Sequence, residues 1–148
     1  MKNMKVLCSI TILMLLSACG DKKIVADNGC FIDLINNSAA PMVLLNGGEE
    51  VTIGGWVADE MSKTSPEEVA INFISPKGEP YEFAKGKVIS PRPDVITALG
   101  LAPNAVPGFG LTGKVPKGIT PGVYNVQTVG YYPAKIVVCK TAKNIELK

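Results

Sequence analysis

Histidine is absent from all 148 residues. That removes the usual general base, the Ser–His and Cys–His nucleophile pairs and the commonest zinc ligand together. No two cysteines stand in CxxC spacing, so a redox dithiol and a zinc knuckle are both excluded. No EF-hand pattern appears, and no metal or cofactor is expected. The longest apolar run, Val6 to Leu16, is interrupted by Ser9 and Thr11. It falls short of the ~20 residues a helix needs to cross a hydrocarbon core. Blocks of one charge are missing too. Apart from Lys2 and Lys5, 13 basic residues face 13 acidic ones, scattered along the chain. Such a balance leaves no electrostatic footprint for nucleic acid.

Two further patterns are present in letters but lack their chemistry. Gly108-Phe109-Gly110-Leu111-Thr112-Gly113 matches GxGxxG, yet Pro107 precedes it and Val115-Pro116-Lys117-Gly118 follows. No helix N-terminus is then available to hold a pyrophosphate. Carboxylates stand side by side at Asp59-Glu60 and Glu67-Glu68. Glycoside hydrolysis needs two that converge from separate positions across a cleft, and adjacent residues on a strand point apart. A small carboxylate-dependent glycan enzyme is therefore the weakest functional reading, and no catalytic residue is assigned.

What the chain does contain begins at its N-terminus. Lys2 and Lys5 precede the apolar run, and the small residues Ser17 and Ala18 lead to Cys19. This order is that of an export signal. Leu16-Ser17-Ala18-Cys19 resembles the lipobox of bacterial lipoproteins. The resemblance implies a signal peptide over 1–18, cleavage before Cys19, and lipid on the Cys19 sulfur as the membrane anchor. Gly20 in place of Asp implies the outer membrane. More than one acyl chain, palmitate among them, makes such an anchor stable. Cys8 would leave with the signal, so Cys30 and Cys139 remain in an oxidising envelope, where a pair reads as a disulfide. Closing a loop of about 110 residues would stabilise the fold by roughly 4.7 kcal/mol. Two buried free thiols are the alternative.

The remaining ~130 residues suffice for one domain. Residues 19–29 are polar and read as a lipidated tether, and 30–148 as a β-sandwich. Phe31 to Ile35 is a strand candidate. Met42 to Leu45, Asn46-Gly47 and Val51 to Ile53 give a hairpin signal, because Asn-Gly supplies positive φ. Val69, Ile71 and Phe73 alternate with their neighbours, Ser75-Pro76-Lys77-Gly78 is turn chemistry, and Tyr81 to Ala84 returns. Phe109, Leu111 and Val115 mark a further strand, and Tyr124, Val126 and Thr128 share one face of another. Ile136 to Cys139 and Asn144 to Leu147 read as two short closing strands. Pro93 to Leu99 is the single helical signal, with Pro93 at its first position, Asp94 in its first turn and Gly100 as its stop. Eleven prolines and fifteen glycines between short apolar runs fit a sandwich.

Gly55-Trp56-Val57-Ala58-Asp59, Arg92-Pro93-Asp94-Val95, Pro107-Gly108-Phe109-Gly110 and Pro121-Gly122-Val123-Tyr124 are similar to the landmarks of bacterial immunoglobulin-like accessory domains. This implies an all-β, immunoglobulin-like antiparallel sandwich with one short helix, and it brings no catalytic residues. Trp56 reads as a core residue with a partnered N–H rather than a stacking platform. Two adjacent tyrosines on a strand, Tyr131 and Tyr132, expose one ring and bury the other. With Pro133 beside them, they are either an interface anchor or ordinary edge-strand structure. Arg92 either contacts a partner or an anionic sugar, or pairs with a carboxylate and fixes its loop. Tyr131, Tyr132 and Arg92 are the candidate binding surface. The expected function is a non-enzymatic, outer-membrane-anchored envelope lipoprotein that binds a protein or a glycan. An inhibitor or exclusion factor against an incoming enzyme, phage or conjugative partner is the alternative.

Overall fold

A computed structural model describes residues 20–148; the expected signal peptide over 1–18 and the expected lipidation at Cys19 lie outside the described residues. The strands are β1 (Lys23–Ala26), β2 (Cys30–Ile35), β3 (Met42–Leu45), β4 (Glu50–Val57), β5 (Glu68–Ile74), β6 (Pro80–Lys87), β7 (Gly108–Lys114), β8 (Gly122–Tyr131) and β9 (Lys135–Leu147). One sheet runs β1-β9-β8-β5-β6, with β3 also on β9, and the other runs β2-β4-β7. Among the described residues the fold is an all-β sandwich with one short helix, α1 (Pro93–Leu99).

The core follows from alternation. Val51, Ile53 and Val57 on β4 face Ile71 and Phe73 on β5, Val126 on β8 and Ile145 on β9, all buried. Phe73 stacks on Phe83 with ring centroids 4.6 Å apart. The β5–β6 hairpin forms as its turn residues imply, with Gly78 at φ 84°. Tyr124 donates its hydroxyl to the Thr120 carbonyl at 2.8 Å, the corner that fixes a strand's entry in many sandwiches. Cys30 and Cys139 are bonded across the two sheets, with Cα atoms 6.2 Å apart. The helix has the expected bounds, with Pro at its start and Gly100 in the left-handed region at φ 62°.

Four expectations are corrected. Met42–Leu45 and Glu50–Val57 do not form a hairpin. β3 runs parallel to the second half of β9, while β4 lies between β2 and β7. The 46–49 loop is an arch between sheets, and the positive φ falls on Gly48 (84°), not on Asn46-Gly47. Glu49 closes it, donating its N–H to the Asn46 carbonyl at 3.1 Å and accepting the Asn46 N–H at 2.9 Å. Leu45 and Val51, both fully buried, thereby enter one core from opposite sheets.

The tether expected over 19–29 is shorter, because Lys23–Ala26 pair in parallel with Lys135–Val138. The long edge of β9 would otherwise stand open, and an open edge invites unwanted pairing. The two closing strands are one 13-residue strand, β9. Its middle bulges opposite Val126, where the Asn125 side-chain amide donates to the carbonyls of Thr141 (3.0 Å) and Lys143 (3.1 Å) in place of ladder bonds. Finally, Trp56 lies outside the inter-sheet core. It points from the other face of β4 and packs against a second cluster of Val95, Leu101 and Ala105, so it seats the helix.

Candidate functional site

Arg92 stands immediately before α1 and is held on three sides. Its Nε and Nη2 donate to the two carboxylate oxygens of Asp94 at 2.9 and 2.7 Å, and its Nη1 donates to Asp33 at 2.6 Å. The bidentate contact uses the planar fork that distinguishes arginine from lysine. Asp33 reaches it because β2 skips that residue in its register with β4, between Ile32 and Leu34. The Asp94 hydrogen bond, outweighing the opposing effect of burial, raises the Arg92 pKa, with Asp33 adding to it. The Asp94 carboxyl is correspondingly held below the usual range by Arg92. Of the two readings of Arg92, pairing with carboxylates is what the geometry shows.

This ionic trio rims the outer face of the β2-β4-β7 sheet. Across that face the register sets Phe31, Trp56 and Gly108 in one row, and Leu34, Gly54 and Gly110 in the next. Thr52 and Thr112 follow, their hydroxyls 2.8 Å apart. A side chain at Gly110 would meet nothing within 4 Å, so bare backbone floors the face there. Phe31 and Leu34 are 51% and 40% exposed. A hollow of about 160 Å³ lies among Asp33, Leu34, Gly54, Ser90, Arg92 and Phe109. Apolar side chains, exposed backbone and a rigid guanidinium thus meet at one place.

The three candidate residues do not share a surface. Tyr131 ends β8 on the outer face of the large sheet, where the Lys85 ammonium sits 4.1 Å from its ring centroid. Tyr132 is buried and presents no surface, which corrects its assignment as a contact residue. The two rings do divide between outside and inside, as adjacent residues of an extended segment must. Burial pushes the Tyr132 hydroxyl pKa up, the charges of Asp59 and Asp27 adding to it. Among the described residues that hydroxyl has no hydrogen-bond partner.

Asp59 is the feature whose role the sequence did not disclose, having appeared there as half of an acidic pair and as the end of the Gly55–Asp59 landmark. It is buried while Glu60 is exposed, so the two carboxylates do not converge. The Lys135 ammonium and the Ser62 hydroxyl both donate to it, as do the N–H groups of Met61 (3.2 Å) and Ser62 (3.3 Å). Burial works to raise its pKa. The hydrogen bonds from Lys135, Ser62 and Met61, with the Lys135 charge, outweigh burial and hold it below the usual carboxylate range. A serine and a lysine meet here, but both are spent on one ionised acid, which is a poor base. The arrangement clamps the loop after β4 to the start of β9. The usable signal in sequence was the short spacing from Asp59 to Ser62, which suits an Asp side chain capping its own turn.

No family model matches the chain, and no curated protein matches it. Among solved structures, a DUF4785 family protein from Legionella pneumophila is 8% identical over 71% of this chain and 25% of its own, with a TM-score of 0.35. The chain spans about a quarter of that protein's length, and a likeness at this level carries no inference about this chain.

Proposed function

We propose that this chain is a non-enzymatic binding module of a bacterial cell envelope, held on the outer membrane by lipid on Cys19. In this reading its outer β2-β4-β7 face takes a protein partner. The observation that carries it is the Asp33–Arg92–Asp94 trio beside exposed Phe31 and Leu34 on a glycine floor. Protein interfaces centre on aromatic and arginine anchors, and a guanidinium already fixed loses little freedom on binding. The flat floor at Gly54 and Gly110 admits a partner's backbone or side chain where a Cβ would stand. The lipobox supports the anchor, and the missing histidine, together with the engaged state of Asp59, supports a role without chemistry.

The test is in-cell crosslinking of the lipidated protein, then affinity capture and mass spectrometry, with Cys19→Ser and Gly110→Phe forms as controls. One dominant envelope protein, lost with Gly110→Phe, is the expected result. Capture unaffected by Gly110→Phe overturns the assigned face. Retention of an envelope polysaccharide with no enriched protein overturns the protein reading in favour of a glycan.

A further inference from the structure

Lys143 occupies an inward-facing position of β9 and is only 8% exposed. Its ammonium donates to the carbonyls of Ala39 and Ala40, the latter at 2.9 Å. Both acceptors are neutral. Among the described residues the ion pairs are Lys85–Glu68, Arg92–Asp33, Arg92–Asp94 and Lys135–Asp59, and none involves Lys143. A charge removed from water normally acquires a counter-charge, and an ammonium carries three donors, of which two are engaged here.

The bulge in β9 keeps this lysine inside. The Thr141 hydroxyl donates to the Val126 carbonyl at 2.6 Å and accepts the Lys143 N–H at 3.2 Å, while Asn125 holds the Lys143 carbonyl. The position is therefore built and not a side chain resting where it falls. Beside it lies a hollow of about 190 Å³ lined by Phe31, Ile32, Ala39, Pro41, Ala142 and Lys143. Every other side chain in that lining is apolar. The hollow sits at the flank of the sandwich where the outer edge of β9 is uncovered. β1 pairs with Lys135–Val138 and β3 with Asn144–Leu147, leaving the residues between them free.

We propose that this hollow is a site for a monocarboxylate on a short apolar stem, the carboxylate meeting Lys143 and the stem lying against Phe31 and Pro41. The chemistry is that of a counter-charge the fold does not itself supply, joined to a greasy wall. It borders the proposed partner face and shares Phe31 with it, but it needs neither Arg92 nor Gly110.

The experiment is a two-dimensional NMR titration of the full chain with hexanoate, with hexanamide as the uncharged match. A second arm uses a Leu-Phe peptide with a free or an amidated C-terminus. Shifts at Phe31, Ala142 and Lys143 with hexanoate are expected, weakened by about tenfold or more with hexanamide, as befits loss of a charge-assisted hydrogen bond. Lys143→Met should weaken hexanoate to the same degree. Ala142→Leu, at an exposed position, narrows the hollow with Lys143 intact and should also weaken it. Shifts with the free-acid peptide but not with hexanoate support the site and identify a chain terminus as its ligand. Equal binding of acid and amide, or no shift with either acid, overturns the proposal.

Discussion

Among the described residues, two ionic clusters have equally shielded cations, Lys135 and Arg92 each keeping 26% of their side-chain surface. What differs is the acid. Asp59 retains 2%, whereas Asp33 retains 36% and Asp94 more still. The buried acid must be satisfied completely by its own chain, and it is, by one lysine, one hydroxyl and two backbone N–H groups. The more exposed acids fix a guanidinium, and Asp33 with Arg92 still lines a hollow. Similar chemistry thus serves architecture in one place and presents a surface in the other, and the depth of the carboxylate decides which.

The first way to sharpen that contrast is to remove the covalent link between β2, which carries Asp33, and β9, which carries Lys135. Replacing Cys30 and Cys139 with alanine should lower stability by about 4.7 kcal/mol, read as a fall in the denaturation midpoint. If the loss is negligible, non-covalent fastening by the clusters is far stronger than their exposure allows. Next in size is Asp59→Ala, which leaves a half-shielded ammonium and a turn without its cap. We expect a loss of about 3 kcal/mol, at the low end for a broken buried pair because Lys135 is partly in water. Arg92→Ala should cost at most about 1 kcal/mol of stability, as exposed ion pairs do, while abolishing partner capture. Equal destabilisation by the two variants would erase the distinction drawn between them.

The smallest effect is the pH dependence. Asp59 titrates below its unfolded value of 3.8, so its contribution is complete above that pH. It fades as the pH falls through the lower folded pKa, because only the unfolded carboxyl then gains a proton early. Denaturation midpoints between pH 5 and pH 2 should fall more steeply for the parent than for Asp59→Asn. Identical slopes would show that Asp59 is not the group that matters in acid.

Several elements were legible because their causes are local. Pro93, Asp94 and Gly100 specify a short helix wherever it sits, and Ser75 to Gly78 specify a turn between alternating strands. The pairing of Cys30 with Cys139 was legible as an expectation from cysteine count and spacing. Three features were not. Lys-Ile-Val-Ala at 23–26 is too short and too polar at its start to read as a strand, and it becomes one only because β9 offers an edge. Asn46-Gly47 carries hairpin chemistry, but with Gly48 and Glu49 following, the chain has length to cross between sheets. Lys143 looks like any surface lysine until the bulge turns it inward.

The amino-acid sequence by itself determined the class of fold, the helix at Pro93–Leu99, the inward residues of β5 and β8 and the lack of histidine chemistry. These depend on side-chain type and spacing along the chain. Only the tertiary structure decided which strands share a sheet, that Trp56 seats the helix outside the main core, that Asp59 and Lys143 are buried, and that Tyr131 and Arg92 lie on different faces. Such choices depend on which backbone edges meet and on which charges find partners far away in sequence. Alternation specifies a face to bury, but not the strand it will be buried against.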